Sequence, residues 1–171
     1  RQGTFISQVN HMPTNPETRK YNLHETYAAE TNLQRYARLT VGEGASHLAL
    51  VGHELLLGLC AGLPGLLGMG LRHWLYPLAF RGFDRHAYLG HHVTLRCPRQ
   101  IQLAQQVVID DYAQLVATSR RHDAICIGAG SFVRSFASLN AGPPEGYIHI
   151  GHNSGIGQGP VLYGNGGLSI G

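Results

Sequence analysis

Few residues in this chain have types and spacings suited to chemistry, and most are histidines, 11 in 171 residues. His122 and Asp123 stand side by side in "SRRHDA". An imidazole takes up or releases a proton near neutral pH, and a carboxylate beside it can orient the ring. His149 and His152 open and close the tetrad "HIGH". These three histidines are the candidate site residues, although each also fits an ordinary solvent-facing ring. His86 and His91 are spaced HxxxxH, and zinc favours imidazole ligands. A third ligand would have to come from before residue 83, where the chain reads as helix, so no metal is expected.

What positions these side chains is an aliphatic residue at every sixth position. Phe83, Leu89 and Leu95 form a first triplet, then Leu103, Ile109 and Leu115, then Ile127, Val133 and Leu139, then Ile150, Ile156 and Leu162, with Ile170 opening a fifth. The first members of successive triplets are 20, 24, 23 and 20 residues apart, which is 18 plus an excess of 2, 6, 5 and 2. Every excess follows the third hexad. A period of six fits neither a helix nor a flat alternating strand.

Three hexads make one coil of triangular section, with one aliphatic side chain per side pointing inward. The next residue is often small or acidic (Gly90, Ala104, Asp110, Gly128, Gly151, Gly157), and the fourth is small or branched (Val93, Val107, Ala113, Ser131, Ala137, Ser154). Small side chains suit a tight corner and a narrowing interior. Stacked at the ordinary strand spacing, such coils share one continuous core. The extra residues would then emerge in a column along a single corner, where a solenoid usually carries its binding surface. Asp110-Asp111 reads as a structural corner, and Asn140, Asn153 and Asn165 suit corner hydrogen bonds or left-handed backbone.

Ahead of the repeat lie two other regions. Residues 1–45 read as a polar lead-in with one short helix, in which Leu33, Tyr36 and Leu39 share a face; Met12 is a candidate natural start. Residues 46–82 read as an apolar helical hairpin. Ser46 caps a helix to about Gly62, Pro64 and Gly65 break it, and a second helix covers Leu66 to Tyr76. Between Glu54 and Arg72, 17 residues carry no charge. That run is too short for a spanning helix, which wants about 20 apolar residues. The hairpin is therefore expected to lie on a membrane surface, to cap the repeat, or to do both. Trp74 and Tyr76 beside Arg72, Arg81 and Arg85 suit an interfacial anchor with a basic rim.

The net charge of +3 is too small for a duplex-binding protein, so nucleic acid is not an expected partner. Three cysteines without a CxxC pair imply reduced thiols and a cytoplasmic setting.

Four blocks, "LPGLLGMGLRHWLYPLAFRGF", "GHHVTLRCPRQIQLAQQVVIDDYAQLVA", "ICIGAGSFVRSFASLNAG" and "IHIGHNSGIGQG", resemble the hexapeptide-repeat acyltransferases. The likeness is to bacterial sugar O-acetyltransferases with apolar N-terminal helices. It implies a mainly β fold: a left-handed parallel β-helix of about four coils over 83–171, preceded by an α-helical N-terminal region. It further implies a homotrimer, acetyl-CoA or another acyl-CoA as co-substrate, and a sugar or glycan hydroxyl as acceptor. A histidine would serve as general base, with His122, His149 and His152 as candidates here. The family's usual catalytic block is expected beyond residue 171, so the chain alone is expected to lack transferase activity. Where family members often carry Asn-Cys in the fourth coil, Gly159-Pro160 stands here. Peripheral contact with the inner face of the cell membrane through 46–82 is compatible with this reading. Two rivals remain open: a non-catalytic trimeric scaffold module, and a zinc protein resembling the γ-class carbonic anhydrases through His86 and His91.

Overall fold

A side chain directed inward at every sixth residue leaves room only for short strands joined by tight corners, and that is what the computed structural model contains. It describes residues 30–171; the polar lead-in over 1–29, with Met12, lies outside the described residues. Thirteen strands follow one another: β1 (Gly82–Phe83), β2 (Tyr88–Leu89), β3 (Thr94–Arg96), β4 (Ile101–Leu103), β5 (Val108–Ile109), β6 (Gln114–Ala117), β7 (Ile125–Ile127), β8 (Phe132–Val133), β9 (Ser138–Ala141), β10 (Ile148–Ile150), β11 (Gly155–Ile156), β12 (Val161–Tyr163) and β13 (Leu168–Ile170).

They stack as three parallel sheets, β1-β4-β7-β10-β13, β2-β5-β8-β11 and β3-β6-β9-β12. The register follows the hexads without slippage. Phe83, Leu103, Ile127, Ile150 and Ile170 are partners along the first sheet. Leu89, Ile109, Val133 and Ile156 align along the second, and Leu95, Leu115, Leu139 and Leu162 along the third. The result is a parallel β-solenoid of about four coils. Two corners always take four residues, whereas the third holds 97–100, 118–124, 142–147 and 164–167. The variable lengths therefore share one column, as the spacing predicts.

The inward aliphatics of the middle coils are essentially inaccessible to water, and they fuse with Tyr76 and Phe80 into one core. Coils approach closely at the corners. A Cβ on Gly128 would sit 2.6 Å from the carbonyl carbon of Gly151, so only glycine fits there. Ser131, fully buried, accepts the Ser154 N–H at 3.0 Å and donates to the Gly151 carbonyl at 2.7 Å, stitching two corners together. At the two constant corners the third residue after the inward aliphatic takes left-handed backbone, His86 excepted: Gln106, Gly130 and Asn153 at one corner, His92, Tyr112, Phe136 and Gly159 at the next.

Among the described residues three helices precede the coils: α1 (Asn32–Thr40), α2 (His47–Ala61) and α3 (Gly65–Leu75). Ser46 caps α2 by accepting the Ala49 N–H at 3.2 Å, and Gly62 ends it. On α1 the face shared by Leu33, Tyr36 and Leu39 turns mostly to solvent, with Leu39 half-buried. Leu33 and Tyr36 are exposed, and Ala37 and Thr40 face the protein. The hairpin α2–α3 caps the first coil, with Cys60 buried in the common core and the Ala61 carbonyl accepting the His92 N–H at 2.8 Å.

Arg72 departs from its expected place on a basic rim. It is only 4% exposed and donates to the carbonyls of Cys60 and Leu63 at 2.9 Å and of Leu89 at 3.0 Å. Carbonyls left over where α2 ends and α3 begins need donors, and a guanidinium fork supplies several from one side chain. Arg72 thus staples the hairpin to the first coil.

Candidate functional site

Residues one coil apart are neighbours on the outer surface, and that rule assembles two polar clusters. The first lies on the corner between the second and third sheets. His91 follows Gly90 at the end of β2, and Asp111 occupies the same place one coil later. Asp111 Oδ1 accepts the His91 backbone N–H at 2.8 Å and lies 2.8 Å from His91 Nδ1. A carboxylate oxygen that close to a ring nitrogen favours the proton on Nδ1, which would leave Nε2 as the acceptor of the neutral ring. Gly90 makes the approach possible, because a Cβ there would run into Asp111 Oδ1.

A stack of rings runs along the same corner. His92 stacks on Tyr112 at 5.3 Å and 17°, and Tyr112 on Phe136 at 5.4 Å and 8°. The His91 ring meets the Tyr112 edge at 5.1 Å. All three stacked residues have left-handed backbone, with φ of 52°, 61° and 62°. That conformation costs about 1–2 kcal/mol per residue, and ring stacking worth roughly 0.5–1.5 kcal/mol per pair offsets part of it. Tyr112 and Phe136 remain about half exposed. Asp110, beside Asp111, pairs with Arg134 at 3.2 Å, and Arg134 lies over the Phe132 ring at 4.7 Å. The corner thus offers an oriented imidazole, flat apolar rings, and a carboxylate–guanidinium pair.

The second cluster lies at the variable corner. Arg121 grips Asp123 through both nitrogen–oxygen contacts, at 3.0 and 2.9 Å. The guanidinium holds the Asp123 carboxyl below its usual range, against the opposing effect of partial burial. His149, on β10, reaches back with Nε2 to the Asp123 carbonyl at 2.9 Å, while the Asp123 carboxylate stands 3.7 Å from the same nitrogen. Tyr147 packs against His149 at 4.7 Å between ring centres and lies under Arg121 at 4.8 Å. Cys126 donates weakly to the Asp123 carbonyl at 3.7 Å, and burial raises its thiol above the ordinary value.

Of the three histidines singled out from the sequence, the structure brings only His149 to a carboxylate. His122 is exposed in the loop, and the neighbouring Asp123 turns instead to Arg121 and His149. His152 is exposed at another corner, where its Nδ1 accepts the Ala129 N–H at 3.1 Å and so has a structural task. His86 and His91 do not converge. His86 turns to Asp84 at 3.1 Å and His91 to Asp111. Among the described residues no group of three or more His, Cys, Asp or Glu side chains is placed to hold a metal ion. The His91–Asp111 pair escaped the sequence reading, yet its 20-residue separation is the length of the first coil, and that was the available signal.

Compared with protein-family models, with curated proteins and with solved structures, the chain matches none.

Proposed function

We propose that the chain belongs to an acyl-CoA-dependent O-acyltransferase acting on a hydroxyl of a sugar, glycan or related metabolite. The observation that carries this reading is His91 Nδ1 at 2.8 Å from Asp111 Oδ1 on the outer surface of a solenoid. In it, Nε2 of His91 takes the proton of the acceptor hydroxyl as the oxygen attacks the thioester carbonyl. Asp111 holds the ring and steadies the imidazolium. As the carbon–sulfur bond breaks, the departing CoA thiolate recovers that proton, so the ring ends neutral. Such assistance is typically worth about 10²–10⁴ in rate. Tyr112 and Phe136, half exposed beside the pair, suit the apolar face of a sugar ring. The likeness of the repeat blocks to hexapeptide acyltransferases supplies the remaining terms: a left-handed winding, a homotrimer and an acyl-CoA groove between neighbouring subunits. On this reading the base lies within the chain, at His91, instead of beyond its end.

The test is release of free CoA thiol from acetyl-CoA in the presence of a panel of sugars. Release by the wild type, lowered about 10²–10⁴-fold in His91→Gln and unaltered in the loop control His122→Gln, is the expected outcome. No release above the hydrolytic background, with no thermal protection by acetyl-CoA, would sink the reading.

A further inference from the structure

The hairpin covers the first coil with one side and turns large apolar side chains outward with the other. On α2, Leu48, Val51, Leu55 and Leu59 recur at helical spacing and are 53–83% exposed. On α3, Leu66, Leu67 and Trp74 are 80–83% exposed. Single exposed leucines are normal on a soluble surface, but two adjacent helices with outward apolar stripes mark an interaction surface. No helix among the described residues is long and apolar enough to cross a membrane.

The charges around this face are one-sided. Glu54 is the only carboxylate between Gly44 and Phe83, and it already accepts the Tyr36 hydroxyl at 2.7 Å. Arg81 and Arg85, which follow α3 in the chain, are exposed, as is the His73 ring on α3. Between α3 and the first coil opens a cleft of about 310 Å³, with Met69 and Trp74 in its apolar lining and His73, Arg85 and His86 in its polar lining. His86 is held by Asp84, the one acid at this rim, which leaves Arg85 and His73 to face a ligand. A cleft that is apolar on one side and cationic on the other matches an amphiphile with an anionic head. A second copy of this chain fits less well, because the same face would bring a second Arg85 to the interface and no carboxylate beyond Glu54, which Tyr36 already engages.

We infer that the chain docks on an anionic lipid bilayer through this hairpin. Leu66, Leu67 and Trp74 enter the outer acyl layer, and a lipid phosphate sits in the cleft against Arg85 and His73. The helices lie in the interface, apolar side down, as amphipathic surface helices do. Trp74 is at the depth where indole rings prefer to sit, with one end apolar and the other wet. The inference is independent of acyl transfer.

Trp74 is the only tryptophan, so it reports on its own environment. The full chain would be titrated with vesicles of phosphatidylcholine, alone or doped with phosphatidylglycerol, and then with brominated lipids of both kinds. Expected are a blue shift of Trp74 emission and quenching by the brominated chains, with preference for the anionic vesicles. Arg85→Gln should weaken anionic binding about fivefold, the effect of one cation near a charged surface. Leu67→Glu, at a position 83% exposed and so harmless to folding, should abolish the shift. Emission that no vesicle changes, or equal affinity for both vesicle types, would overturn the inference. So would emission already blue in buffer that reddens on dilution, because a second copy would then be covering the face.

Discussion

His91 Nδ1 and Asp111 Oδ1 lie 2.8 Å apart, although 20 residues separate them in sequence. The contact favours one tautomer, and another contact in the protein favours the other. A carboxylate offers only lone pairs, so the contact favours the proton on His91 Nδ1. Ala129 N–H donates to His152 Nδ1, so His152 carries its proton on Nε2. Long-range ¹H–¹⁵N spectra at neutral pH should therefore show opposite tautomers for the two rings. Asp111→Ala, which removes the acceptor of the His91 backbone N–H and the carboxylate beside its ring, should cost about 1–3 kcal/mol and release the His91 tautomer, whereas Asp111→Asn should retain most of the stability. The same tautomer at both rings would contradict the geometry.

Arg72 should be the most costly of the basic residues to replace. Arg72→Met leaves three carbonyls without their shared donor, and hydrogen bonds to a charged partner are worth about 1.5–3 kcal/mol each. A loss above roughly 3 kcal/mol in urea unfolding is expected. Arg72→Lys should recover only part of it, since an ammonium cannot span the fork of acceptors. A neutral Arg72→Met would mean that the hairpin is held by apolar contact alone.

Stability should fall at alkaline pH through Cys97. This thiol is 1% exposed, and burial pushes it up to about 11, against 9.0 for an ordinary thiol. Raised affinity for the proton in the folded state stabilises the fold below pH 9, and that contribution fades as pH climbs through 11. A difference of this size corresponds to about 2–3 kcal/mol. Urea midpoints measured across that range should drop in the wild type and drop less in Cys97→Ala. An equal drop in both would assign the alkaline loss elsewhere.

Gly128 tests the close stacking of coils. Gly128→Ala drives a Cβ to within 2.6–2.8 Å of backbone atoms of Gly151 and His152, where neither neighbour can yield by a rotamer change. Overpacking of this kind typically costs about 1–3 kcal/mol. Gly157→Ala, where the added carbon meets nothing within 4 Å, is the matched control and should be near neutral. Equal thermal midpoints for the two variants would show that the coils can separate locally.

How much of this was legible beforehand depended on whether a contact repeats. The hexads specified the inward residues, the register of all three sheets and the column of unequal corners, because each coil obeys the same spacing as the last. Ser46, Pro64 and Gly65 likewise marked the ends of α2 and α3 by local chemistry alone. Adjacency along the chain misled at His122 and Asp123, since neighbouring residues in a bent segment point to different sides. Arg72 misled as well. Its charge suggested a wet rim, but the carbonyls at the α2–α3 turn and on β2 needed a donor, and only the folded hairpin brings them within one side chain's reach.

By itself, then, the amino-acid order determined a solenoid built from three-sided coils, because an aliphatic period is a local property that every coil satisfies alone. The pairing of His91 with Asp111, the transfer of Asp123 to Arg121 and His149, and the outward stripes of the hairpin were decided by tertiary structure. His91 with Asp111 and Asp123 with His149 join residues a coil apart, and these surfaces are set only when stacking has decided which outer faces meet and which remain in water.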